Sequence, residues 1–322
     1  MFGVALPGRG PLAKPELILK IAERADTLRF DSVFVTDHVV LPVSAARSRY
    51  PYAESGQFPG GMDQDYLEPL TLLGHLAHAT RRVRLGTSVL VIPYRNPVTT
   101  AKMLATLDVL SGGRVILGAG VGWLREEFEA LAAPPFAARG EVTNEYLQVM
   151  RACWSKSPAS FQGRHYSLPE VYALPRPRQE GGIPIWIGGH TDQALRRAAE
   201  LGDGWHPIGL RPPARLEPAE YAAKVKQLRA YARAAGRDPD AISLTFRAPM
   251  QVVGTRARPG AGGDRPLLQG TAAQVVADLR EYEALGVSHF VFDAVGPDAR
   301  AVLANLERFA HDVRPKLTAK RR

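Results

Sequence analysis

Residues 183–207 read IPIWIGGHTDQALRRAAELGDGWHP, and the parsing of this stretch decides the fold. Ile183–Ile187 is a short apolar run that ends at the pair Gly188–Gly189. Thr191 stands where a helix N-cap belongs, an apolar stripe follows at helical spacing, and Gly202 closes the helix before Gly204–His206 opens another strand. Strand, helix and strand in such close succession form a βα unit of a parallel sheet. The glycines have two readings. They make a tight turn ahead of an N-cap, or they leave bare backbone N–H groups at a helix N-terminus, where an anion binds with no side chain in the way.

Outward from this unit the alternation repeats. Candidate strands are Gly3–Leu6, Ser32–Thr36, Val83–Val91, Val115–Gly118, Ile183–Ile187, Gly204–His206, Ile242–Arg247 and His289–Asp293. A candidate helix follows each, at Pro15–Leu28, Pro69–His78, Pro97–Leu110, Thr143–Trp154, Asp192–Leu201, Pro218–Ala235, Ala272–Leu285 and Asp298–Arg314. Runs such as SVFV (32–35) and HFVF (289–292) are apolar throughout, as strands covered on both faces are. Pro15, Pro69, Pro97 and Pro218 sit in first helical turns, where the missing N–H costs nothing. Eight units in series predict an α/β fold, a (β/α)8 TIM barrel spanning 1–322 as a single domain, in preference to an open doubly wound sheet. A dinucleotide-binding start is missing: the first strand leads into LPGRGPLAKP, and GAGVG (118–122) lacks the full G-x-G-x-x-G spacing. Three stretches exceed an ordinary loop, 39–68, 155–182 and 254–270. The last two are read as insertion loops at the C-terminal face, the end of a barrel that carries its chemistry, and 316–322 as a basic tail.

Composition narrows the partners. The net charge of +9 comes mostly from scattered residues and not from one basic face, which favours a small acidic ligand over nucleic acid. The single cysteine, Cys153, lies in the apolar pattern of a helix and reads as a core filler. One cysteine and no recognisable signal peptide predict a cytoplasmic protein, and no apolar run reaches the roughly 18 residues of a membrane span.

The strand ends supply the candidate site. The second strand ends in Asp37–His38, a pair suited to proton transfer or to hydrogen bonding a polar heterocycle; the bland alternative is a histidine satisfying a loop carbonyl. Gly86, Thr87 and Ser88 are small residues within a strand and precede bulky Val89, which marks a bulge, a close approach or plain packing. The fourth strand ends in GAGVGWLREEF, where Gly120 strips the barrel mouth, Trp123 offers a wall, and Glu126 and Glu127 are carboxylates also favoured by a helix start. Gly188, Gly189, His190 and Thr191 form the anion cradle, and Arg247 and Asp293 end the last two strands. There is no metal-ligand spacing and no nucleophile elbow. A glycine-lined mouth with an Asp–His pair and an anion cradle implies a borrowed cofactor that is flat and phosphorylated.

These residues resemble a known family. FVTDHV (34–39), LGTSVLVIPYRNP (85–97), SGGRVILGAGVGWLREEFEAL (111–131), RGEVTNEYLQVMRACW (139–154), FQGRHYSL (161–168) and the opening stretch are similar to the bacterial luciferase-like oxidoreductases, and most of all to the branch that uses coenzyme F420, a deazaflavin. The resemblance implies an enzyme that moves a hydride between coenzyme F420 and a small organic substrate; FMN as cofactor of a monooxygenase is the alternative, and a non-catalytic flavin-binding protein a third. It implies a ring site at Asp37, His38, Thr87, Ser88, Val89, Gly120 and Trp123, with a non-prolyl cis peptide at Ser88–Val89, and a phosphate loop over Gly188, Gly189, His190 and Thr191. His38 is the expected proton donor or acceptor, with Asp37 and Glu126 as the other catalytic candidates, and a homodimer is implied. The family's sugar-phosphate dehydrogenase has a catalytic glutamate just after the fourth-strand glycines. Trp123 stands there in this chain, which argues against a glucose phosphate and for an apolar or aromatic substrate face.

Overall fold

The computed structural model describes residues 1–254, 265–294 and 296–318. Its strands are β1 (Phe2–Ala5), β2 (Ser32–Val35), β3 (Arg84–Thr87), β4 (Leu90–Val91), β5 (Val115–Gly120), β6 (Ala159–Gln162), β7 (Ser167–Val171), β8 (Ile185–Gly188), β9 (Gly204–His206), β10 (Ser243–Val252), β11 (Gln269–Gly270) and β12 (His289–Ala294). Eight of them, β1, β2, β3, β5, β8, β9, β10 and β12, pair in parallel with their neighbours, and β12 returns to β1 at Phe2–Phe290, so the sheet closes. The main helices are α1 (Pro15–Thr27), α2 (Pro69–Ala79), α3 (Pro97–Ser111), α4 (Arg125–Ala130), α5 (Arg139–Ser155), α6 (Asp192–Leu201), α7 (Pro218–Ala234), α8 (Ala272–Ala284) and α9 (Ala299–Arg308). The expected (β/α)8 barrel is therefore the fold, and a (β/α)8 barrel presents its site at the carboxyl ends of the strands.

Two cores hold it. The larger lies between strands and helices and takes in Val33, Val35, Leu85, Leu117, Leu104, Leu147 and Cys153. The smaller fills the lumen with Ala5, Phe34, Ile116, Trp186 and Val291. Phe34 stacks on Trp186 and on His206, at 5.8 and 5.4 Å between ring centroids, so the lumen is plugged by protein below the mouth. Glycines make room for these rings. A Cβ on Gly86 would stand 2.2 Å from the Phe34 ring, and one on Gly204 would stand 2.7 Å from Trp186. Gly86 thus serves the core and not a visitor. Gly118 is tighter still, because its Cβ would lie 1.9 Å from the Thr87 carbonyl oxygen, which is backbone and cannot swing away. Gly118→Ala is expected to lower the unfolding free energy by about 1–3 kcal/mol. Gly74→Ala, in the middle of α2 with nothing within 4 Å, should raise it by about 0.5–1 kcal/mol. Denaturant midpoints of the two variants check both signs.

The structure departs from the sequence reading in two places. The run Val83–Val91 is not one strand. β3 stops at Thr87, the Ser88–Val89 peptide is cis, and Leu90 resumes pairing opposite Ala119 of β5. The segment 155–182 leaves from the end of α5, the opposite end of the barrel from the strand carboxyl termini, and carries the antiparallel hairpin β6–β7. Glu145 of α5 holds its turn by accepting from the backbone N–H groups of Arg164, His165 and Tyr166, so the hairpin packs outside the barrel. Of the segment 254–270, residues 255–264 lie outside the described residues, as do residues 319–322 of the basic tail. No helix among the described residues is long and apolar enough to cross a membrane.

Candidate active site

The strand carboxyl ends surround a cavity of about 220 Å³. Its floor is the Ser88–Val89 segment, fixed by a buried polar chain. The Ser88 N–H donates to the Val35 carbonyl at 2.7 Å, and the Ser88 carbonyl accepts from Arg247 Nη1 at 2.6 Å. Thr245 gives its hydroxyl proton to the Trp205 carbonyl, so its oxygen accepts from His206 Nδ1–H at 2.7 Å. His206 Nε2 then accepts from the Ser88 hydroxyl at 2.8 Å. Burial, with Arg247 adding to it, pushes His206 down to about 3, which keeps it neutral, and these hydrogen bonds set its tautomer. Arg247 and Arg211 share Asp293, each donating twice, to Oδ1 and Oδ2 respectively. Burial alone would raise the Asp293 pKa, but the two guanidiniums outweigh it and bring it to about 2.

Val89 projects between two strand ends that lack side chains. A Cβ on Gly120 or on Gly188 would stand 2.3 or 2.7 Å from a Val89 methyl carbon. Thr87 is buried beneath, donating to the Gly118 carbonyl, and does not line the cavity.

On the β2 side His38 faces the cavity with a buried carboxylate behind it. His38 Nδ1 lies 2.6 Å from Glu127 Oε2, which also accepts from the Tyr94 hydroxyl at 2.9 Å. Glu127 Oε1 accepts from the N–H groups of Val39 and Val40 at 2.7 and 3.2 Å. A carboxylate surrounded by donors makes Nδ1 the proton-bearing nitrogen and leaves Nε2 uncommitted. Burial, together with the Glu127 charge, raises the Tyr94 pKa, so its hydroxyl stays a donor. Glu126, by contrast, does not line the cavity; it is half-buried at the start of α4 and accepts from the Ser48 hydroxyl. Asp37 lines the cavity, but its oxygens are held by Arg95 and by the Val91 N–H, so it anchors the strand end.

The segment 39–68 covers the mouth and brings aromatic rings that the sequence did not assign. Phe58 and Tyr66 stand edge-on to His38 at 5.3 and 5.2 Å, and Trp123 at 6.0 Å. Tyr50 meets Trp123 at 5.3 Å, and Phe58 stacks on it at 6.0 Å. Arg9, from the β1–α1 loop, lies over Phe58 at 4.8 Å and ties down the segment through the Pro59 carbonyl.

At the β8–α6 turn, Gly188 and Gly189 line the cavity and Gly189 adopts φ +89°, a conformation that favours glycine. Its carbonyl accepts from Trp205 Nε1, and the Thr191 side chain caps α6 through the Ala194 N–H. His190 Nδ1 is buried with no hydrogen-bond partner, and burial lowers the ring's pKa. His190 and Thr191 flank the cavity without lining it. No group of three His, Cys, Asp or Glu residues disposed to hold a metal occurs among the described residues.

The luciferase-like monooxygenase family matches residues 1–258. An F420-dependent glucose-6-phosphate dehydrogenase of Amycolatopsis mediterranei is 27% identical over 339 residues, 95% of this chain and 95% of that one. A solved monooxygenase from Streptomyces bottropensis superposes with a TM-score of 0.78 at 23% identity, covering 98% of this chain and 99% of its own. An F420-dependent secondary alcohol dehydrogenase in complex with an F420-acetone adduct gives 0.77 at 19% identity, covering 98% of both chains. At those identities the two structures establish the likeness of fold.

Proposed function

The chain belongs to the luciferase-like monooxygenase family, and on that premise we propose that it is a coenzyme F420-dependent oxidoreductase acting on a small organic substrate. The observation that carries the reading is the cavity floor: Val89 stands proud between Gly120 and Gly188, opposite the His38–Glu127 pair. A flat ring lies on such a floor without meeting a side chain from either neighbouring strand end. The orphaned His190 Nδ1 and the α6 N-terminus lie beside it and fit a phosphorylated stem. The F420-dependent relative, matched along almost the whole of both chains, supports the deazaflavin over FMN.

When bound, coenzyme F420 supplies or accepts a hydride at C5 of its ring. The residues of this chain do the rest. Val89, Ser88, Gly120 and Gly188 form the bed of the ring, and Gly189, His190 and Thr191 face its stem. His38 Nε2 holds or receives the proton at the reacting substrate oxygen, and Glu127 keeps the ring in the required tautomer and stabilises the imidazolium. Phe58, Tyr66 and Trp123 enclose that nitrogen and keep water from it. The same apolar wall suits an aromatic or apolar substrate better than a sugar phosphate.

Titration of the purified protein tests the cofactor. Added coenzyme F420 should show polarised or quenched fluorescence at micromolar protein, and FMN should not compete. Tight FMN binding with no response from F420 would reverse the assignment and favour a reduced-flavin monooxygenase.

A further inference from the structure

The polar groups of the cavity fall into two sets. The carboxylates at and behind its wall are all engaged: Asp37, which lines it, by Arg95, and behind the lining Asp293 by Arg211 and Arg247 and Glu127 by its donors and His38. Apart from His38 Nε2, the uncommitted groups can donate. Arg9 lines the cavity, uses Nη1 on the Pro59 carbonyl, and pairs with no carboxylate among the described residues. Tyr50 and Tyr52 also line it, and their hydroxyls have no hydrogen-bond partner among the described residues. Burial, with Tyr50 beside it, pushes Tyr52 up to about 12 against the pull of Arg247, so it remains a donor at neutral pH. A ligand that satisfies these donors brings acceptor oxygens, and a charged one matches a guanidinium held on an apolar ring. Phe58 links the two features, because it supports Arg9 at 4.8 Å and stacks with Trp123 at 6.0 Å.

We propose that the substrate is a planar aromatic or conjugated molecule bearing a carboxylate, that its ring lies on the Phe58–Trp123 wall, and that Arg9 selects it by donating to the carboxylate. This rests on the oxidoreductase reading and names the substrate class of the same site. Arg9 is a specificity residue here, since His38 and not Arg9 meets the reacting oxygen. A planar fork donating to a carboxylate makes a charge-assisted, directional contact that a neutral amide of the same shape cannot match.

The test is calorimetric titration of the cofactor-free protein with 2-naphthoate and with 2-naphthamide. The acid should bind about tenfold tighter than the amide, and Arg9→Met should remove that preference while amide affinity stays within about twofold. Arg9→Lys, which keeps the charge and the volume but not the fork, should retain only part of the preference. Equal affinity of acid and amide for the unmodified protein, or an undiminished preference in Arg9→Met, overturns the proposal. If Arg9→Met does not fold, an unchanged preference in Arg9→Lys overturns it. F420 titration of the same variants separates the two readings. An Arg9→Met protein that loses F420 affinity by the same factor places Arg9 on the cofactor and overturns the substrate assignment. Failure of the unmodified protein to bind F420, with acid selection intact, overturns the cofactor reading alone.

Discussion

His38→Ala should lower kcat/KM by about a hundredfold to ten-thousandfold, the range of a positioned general acid or base, with F420 affinity little changed. The ring sits at the cavity edge with one nitrogen committed to Glu127 and the other available, which is the geometry a proton carrier needs. Glu127→Gln should reproduce most of the loss for a different reason. The Val39 and Val40 N–H groups hold Oε1 of the side chain, so the glutamine oxygen takes that position and its NH2 group turns toward Tyr94 and His38. Nδ1 must then accept a hydrogen bond, and the proton moves to Nε2, the wrong tautomer for a base. Nitrogen NMR of His38 reads the tautomer directly, without a substrate. A Glu127→Gln protein with an unaltered His38 tautomer and full turnover would contradict this role. Glu126→Gln provides the control and should be close to neutral, because that carboxylate lies outside the cavity lining and contacts Ser48.

Asp293→Ala should destabilise the fold by about 3 kcal/mol, near the low end for breaking a buried ion pair because Arg211 is one-third exposed. The change leaves Arg247, which is nearly fully buried, without its counter-charge and frees the group that holds the Ser88 carbonyl. The loss should therefore extend to the cavity floor and weaken ligand binding as well. The pH dependence has a definite sign. The folded pKa of about 2 lies below the ordinary aspartate value of roughly 3.9, so the stabilisation is fully present above that ordinary value and disappears as the pH falls toward 2. Asp293→Asn should flatten that part of the acid-unfolding curve. A Asp293→Ala protein less than about 1 kcal/mol weaker than its parent, or an acid limb unchanged by Asp293→Asn, would show that the two arginines do not depend on it.

The barrel was legible because its signal is local. Buried parallel strands such as SVFV and HFVF have no polar face, and the recurring proline and threonine helix starts set the period. The break at Ser88–Val89 was legible only as a run of small residues. The groups that hold it, Arg247 and His206, lie more than a hundred residues away in sequence. Gly86 left a bulge, a close approach and plain packing all open in the sequence, and it is room for Phe34, a pairing that no linear pattern reveals. The choice between adjacent glutamates depended on helix phase. Leu124 and Phe128 are fully buried, and position 127 falls on their inward side, while 126 is turned out. That pattern was present in LREEF and could have found Glu127. The aromatic lid was not readable. Tyr50, Phe58 and Tyr66 occur in an irregular segment, and only its return over the mouth brings them to His38 and Trp123. Arg211 belongs to the same class, since its link to Asp293 exists only once β9 and β12 share a closed sheet.

A crystal structure of the protein grown with coenzyme F420 is the most direct measurement. It should show the deazaflavin ring on Val89, between the bare strand ends at Gly120 and Gly188, with His38 at its reacting edge and the phosphate at Gly189–Thr191. Cofactor bound elsewhere on the barrel, or a ring that leaves Val89 uncovered, would contradict the account at its base.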